Sequence, residues 1–152
     1  MELPQLEFSF VADPSVRGIL AEDYAQAVQV YEVGAYLGAM VTAGAVAEGL
    51  LTWALLTREH EALSHKNAGR DRDGKVLPIS TWNLTNLLLV AQDLKLLGEY
   101  ASKGSWALKE FRNLIHPYKL QHTSARPDAS LALNAVTALA EIHRSIKKRV
   151  LA

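Results

Sequence analysis

Arg112, Asn113, His116 and Tyr118 stand close together in the stretch WALKEFRNLIHPY, Trp106 to Tyr118. Arg112 and His116 are four residues apart, so on a helix they project as neighbours from one face. Histidine titrates near neutrality and can give or take a proton. Arginine matches a phosphate in geometry and charge, and can stabilise negative charge that develops on it. The two together fit cleavage of an RNA phosphodiester without a metal ion. The same side chains also compose a structural network, with Arg112 on Glu48, Asn113 on a backbone end and His116 capping the last turn. Residue types alone favour the network.

Glu48 is the second anomaly. It is the only charged residue between Val33 and Leu56. A buried carboxylate is costly unless it is paired or protonated. Two readings are open: Glu48 lies at a helix seam and reaches water, or it pairs with Arg112 and holds the guanidinium in place.

The elements that must position these groups are helices. Ala107, Leu108, Phe111, Leu114 and Ile115 recur at helical spacing, and Pro117 disfavours continuation past His116. This fourth helix is expected to open at Ser102 or Ser105. Upstream, Asp13-Pro14 has the form of an N-cap and first helical residue. A first helix should follow to about Tyr31, with Gly34 as either a break or a close contact. A second, from Val33 to about Leu56 or His60, is apolar nearly all round and should be central. Its small residues, Gly34, Gly38, Ala39, Ala43, Gly44 and Ala47, would allow close backbone packing. A third helix, capped by Ser80 or Thr81, carries Trp82, Leu84, Leu87, Leu88, Ala91 and Leu94 inward and ends near Gly98. A fifth runs from about Asp128 to Val150, with Lys147, Lys148 and Arg149 suited to its C-terminal dipole. No strand pattern or repeat competes. The expectation is an all-α bundle of about five helices over 13–152. An arm, 1–12, would lie against it through Leu6, Phe8 and Phe10, and an exposed, mobile loop would fall at about 62–79.

The 152 residues suit one domain, and 49% apolar with 21% charged residues is ordinary for a soluble protein. Zero formal net charge removes whole-chain basicity as an argument for nucleic acid and leaves a local patch open. Absence of cysteine excludes disulfides and thiolate chemistry and fits a reducing cytoplasm. MELPQLEFSF lacks the basic-then-apolar layout of a signal peptide. Val33–Leu56 is long enough to span a bilayer, but Glu48 and the many small residues favour a buried helix, so no membrane is expected. His60-Glu61 and His65 resemble a zinc helix motif, yet the histidines are five apart where one face needs four. A solvated helix end is expected there, with no metal or cofactor. Arg70, Arg72 and Lys75 could touch RNA, but interleaved aspartates favour an ordinary loop.

The stretch Arg112-Asn113-Leu114-Ile115-His116-Pro117 resembles the signature of the HEPN superfamily (higher eukaryotes and prokaryotes nucleotide-binding): an arginine, a polar residue often asparagine, then a histidine. TAGAVAEGLL (Thr42–Leu51) and STWNLTNLLLVA (Ser80–Ala91) are similar to the second helix of HEPN-like bacterial proteins and the helix that follows it. The resemblance implies an all-helical fold and a homodimer that brings two motifs together. It further implies a metal-independent endoribonuclease of a toxin or phage-defence system, with Arg112 and His116 catalytic and Asn113 supporting. Tyr118 holds the place of the tyrosine modified in HEPN toxins paired with a nucleotidyltransferase antitoxin. Three residues separate Arg112 from His116, where the usual catalytic form has at least four. On a helix that turns the histidine by about 100°. The alternative is a non-catalytic module that binds RNA, a nucleotide or another protein.

Overall fold

Asp13 and Pro14 start the first helix as their chemistry requires. Helix α1 spans Pro14–Glu32, and the Asp13 carboxylate accepts from the amides of Ser15 at 2.9 Å and Val16 at 3.2 Å. The computed structural model describes residues 2–114, 117 and 126–152, the side chains at 107 and 110–114 excepted. Among these residues it is helical, with no strand beyond an isolated bridge between Arg70 and Val76.

Gly34 is a break. Its φ of +81° lets Ala35 donate back to the Val30 carbonyl at 2.8 Å, closing α1 in a left-handed cap. Helix α2 therefore begins at Tyr36, not at Val33, and ends at Leu56. It packs against α1 on one side and against the last helix on another. Of its small residues, Ala39, Ala43 and Ala47 are buried and Gly38 meets Val30, whereas Gly44 faces open space. Among the described residues α2 alone is long and apolar enough to cross a membrane, and over half of it is buried inside the bundle, as in the core helix of a soluble protein.

The chain does not continue α2 through His60. A separate short helix, α3 (Glu59–Leu63), follows, and the Arg58 guanidinium ties this corner to the Leu94 carbonyl at 2.6 Å. Of the loop expected at 62–79, Ala62 and Leu63 lie in α3 and Ala62, Ala68, Gly69 and Ile79 are buried; the stretch 70–75 is exposed and organised. Asp71 accepts from the amides of Asp73 and Lys75, and Arg70 donates to the Gly74 carbonyl, each at 2.9 Å. Ser80 and Thr81 lie in a 3-10 turn, Ile79–Thr81; the cap of α4 (Leu84–Asp93) is Asn83, whose side chain accepts from the Asn86 amide at 2.8 Å. Lys95, with φ of +60°, closes α4, while Gly98 instead donates its amide to Ser145 Oγ at 2.7 Å. Helix α5 (Glu99–Leu114) thus starts before Ser102. Helix α6 (Ala129–Val150) is capped by Asp128, which accepts from the Leu131 amide at 2.8 Å.

The arm belongs to the core. Phe8, Phe10 and Val11 are buried. Both phenyl rings meet the His143 imidazole of α6 edge-on, at 5.2 and 5.1 Å between centroids. His143 Nε2 lies 2.6 Å from the Glu7 carbonyl, and Lys147 reaches the Glu7 carboxylate at 2.5 Å. The Tyr24 hydroxyl of α1 donates to the Pro4 carbonyl, and burial raises its pKa to about 12.

Gly69 and Trp82 give a first test. A Cβ at Gly69 would stand 2.5 Å from Trp82 Cδ1, and the indole cannot swing freely because its Nε1 donates to the Leu77 carbonyl at 2.9 Å. Gly69→Ala is expected to cost about 1–3 kcal/mol in chemical denaturation, the scale of overpacking; a neutral result would contradict this contact. The arm gives a second. Burial lowers the His143 pKa from 6.5, against the pull of the Glu7 carbonyl. The unfolded chain then binds the proton more readily, so this contribution is complete above about pH 6.5 and is lost as pH falls below it. Glu7, lowered from 4.5 to about 2 by its bonds to Lys147 and Ser9, loses its contribution only between those values. Between pH 7.5 and 5.5 the melting temperature should therefore fall less steeply in His143→Gln than in the parent. Equal slopes would remove His143 as the cause.

Candidate functional site

Helix α5 carries the Arg-Asn pair, and its apolar face holds it on α6. Ala101 and Leu108 are buried there. Ser105, also buried, satisfies its hydroxyl on the Ala101 carbonyl. Gly104 lies against Ala138, its Cβ position 3.9 Å from the Ala138 Cα, so the two helices cross closely. Gly98 and Ser145 pin the start of α5 to α6 as well. The backbone that ends in Arg112 and Asn113 is thus borne by a packed helix, not by a loop.

Arg112 and Asn113 occupy the last turn of α5. Their side chains lie outside the described residues, as do His116 and Tyr118 and any contact between Arg112 and Glu48. Glu48 itself is half-buried on α2, on the wall of a cleft between α1 and α2. A turn before the Arg-Asn pair, the Lys109 ammonium lies over the Trp106 ring, 5.2 Å from its centroid, a cation on an aromatic face. Lys103, exposed, adds a second cation on the same helix and pairs with Glu99 at 3.2 Å.

The zinc-like stretch is only in part the solvated helix end expected from sequence: His60 is exposed, whereas His65 is turned inward onto α4. Glu61 is bound by Arg58, at 3.0 and 2.5 Å, which lowers its pKa and raises that of Arg58. His65 is mostly buried and accepts the Asn67 amide on Nδ1 at 3.0 Å. Its proton therefore sits on Nε2, which donates to Asp93 of α4 at 2.9 Å. Among the described residues no three histidine or acidic side chains are grouped to hold a metal.

Sequence reasoning missed His143 and the His65–Asp93 pair. His143 follows Leu139 by four residues and precedes Ile146 by three, so a polar residue at a core register was its available signal. The His65–Asp93 pair links positions 28 residues apart in different elements, for which no spacing rule exists. Comparison with protein-family models, with curated proteins and with solved structures gives no match for the chain.

The hydrogen bonds of His65 fix its tautomer. Nitrogen-resolved NMR of the imidazole should show the Nε2–H form, and Asp93→Ala should keep that tautomer, because the Asn67 amide still occupies Nδ1. A ring protonated on Nδ1 in the parent would contradict the arrangement.

Proposed function

We propose that this chain is a HEPN-like bacterial protein that cleaves RNA without a metal ion, as part of a toxin or phage-defence system in the cytoplasm. The observation that carries this reading is the pair Arg112-Asn113 at the end of a packed helix in an all-α chain, leading into His116. Lys103 and the Lys109–Trp106 stack on the same helix support it, because cations interleaved with an aromatic face suit a nucleic-acid strand. In the proposed reaction the ribose 2′-oxygen attacks the adjacent phosphorus and the 5′-oxygen leaves. His116 moves the proton, and Arg112 stabilises the charge that builds on the phosphate oxygens. Asn113 supports the pair, and Glu48 holds the Arg112 guanidinium. Two protomers bring their motifs together, and Tyr118 offers a nucleotidyltransferase antitoxin its modification site.

The three-residue spacing between Arg112 and His116 favours a second reading, a non-catalytic module that binds RNA, a nucleotide or a protein. The two differ in one assay. In the first reading, purified protein cuts RNA in EDTA. Arg112→Ala and His116→Ala, each folded and of unchanged oligomeric state, lose about 10²-fold or more of that rate. In the second, a folded dimer leaves diverse RNAs intact, and Arg112→Ala costs about 3–5 kcal/mol of stability, as breaking a buried pair does.

A further inference from the structure

The seam between α1 and α2 is not closed along its whole length. On α1, Val16, Ile19, Leu20 and Asp23 fall at i, i+3, i+4 and i+7, one helical face. On α2, Ala45, Glu48, Gly49, Thr52 and Leu56 do the same at i, i+3, i+4, i+7 and i+11. Where these faces meet they leave a cleft of about 420 Å³, floored by Leu20, Trp53, Trp82 and Leu87. That volume lies within the range of small-molecule sites, about 300–1,000 Å³. Gly49 sets its width, because a Cβ there would already stand 3.0 Å from Leu20 Cδ2.

Two further observations define what would fit. The rim stays apolar although it faces water: Ile19 is 55% exposed and Leu56 44%. The charge is one-sided. Three carboxylates, Asp13, Asp23 and Glu48, line the cleft, and among the described residues no lysine, arginine or histidine does. Asp13 is already committed to the α1 amides, and Glu48 is set aside because the proposed function assigns it to Arg112. Asp23, half-buried on the α1 wall, still supplies a negative charge beside an aromatic floor. Anions are repelled by such a site, and a plain hydrocarbon leaves the carboxylate without a partner. A cation on an apolar body satisfies both parts, the cation through the carboxylate and the body through the apolar floor.

We propose that the α1–α2 cleft is a binding site for a small organic cation, an ammonium carried on an aromatic or branched apolar body. The cleft shares Glu48 with the proposed RNA site, so the test reads binding alone and alters only Asp23 and Ala45. The 152-residue chain is titrated with 2-phenylethylammonium, with 3-phenylpropanoate as the anion of similar shape and 2-phenylethanol as the neutral one. Tryptophan fluorescence and the melting temperature are read together. Saturable binding of the ammonium is expected near about 1 mM, modest because the ligand has few atoms. The anion should not bind. Asp23→Asn should weaken the ammonium about 3- to 10-fold, and Ala45→Phe, which places a ring in the mouth at an exposed position, should abolish binding.

Equal affinity for the anion or the alcohol would overturn the proposal. So would ammonium binding that neither variant changes, or no saturation by any of the three probes. Sedimentation of the same samples covers the remaining occupant. If Ala45→Phe splits a dimer and the ammonium does not bind, the cleft belongs to a second copy of the chain and the proposal fails.

Discussion

Helix α2 carries a single charged side chain, Glu48, in twenty-one residues, and a helix of that composition is stable in water only when the rest of the chain covers it. That demand organises the molecule. Helix α1 lies along one side of α2, α6 along another and α4 against a third. Helix α5 then packs on α6, and the arm fills the corner where Trp53 of α2 meets Phe10 beside His143. Coverage is incomplete on one stripe. Leu37 and Val41 remain exposed, and the same side of α2 leads down to Ala45 and the cleft.

Most of the helices could be read from the chain because their signals are local. Asp13 and Asp128 cap with their own side chains the helices that follow them, and the apolar stripes of α1, α4 and α6 needed only spacing to be seen. The stops were harder. Gly34 adopts the left-handed conformation that glycine permits, but α4 ends on Lys95, where such a φ is costly and no residue type announces it. Gly98, the residue that looked like the stop, instead serves Ser145, 47 positions away. Asn83 outcompeted Ser80 and Thr81 as a cap because the Trp82 indole, fixed by Leu77 and pressed on Gly69, holds the preceding segment in a tight turn.

For the candidate site the division falls elsewhere. Arginine, asparagine and histidine announce their chemistry by type, so the motif stood out at once, and the backbone of α5 bears Arg112 and Asn113 as the stripe required. The environments of His65 and His143 were illegible for the opposite reason. Each depends on a partner brought in by tertiary structure, Asp93 for one and the Glu7 carbonyl for the other. A glutamate such as Glu48 is ambiguous in sequence for the same cause, since burial and partner are properties of the fold.

The arm's dependence on α6 has a consequence for the order in which the chain can fold as it is made. Glu7 and His143 are 136 residues apart. At ~5–20 residues per second, a ribosome needs about 7–27 s to travel that distance. Through that interval α1 and α2 can pair as a helical hairpin. Phe10 can already meet Trp53 of α2, but Phe8 and the open side of Phe10 have no His143 to rest on, beside an apolar helix whose α6 side is also bare. The nascent chain is thus a sticky intermediate for most of its synthesis, the kind of surface that chaperones hold. A single late event, the arrival of α6, closes both exposures at once.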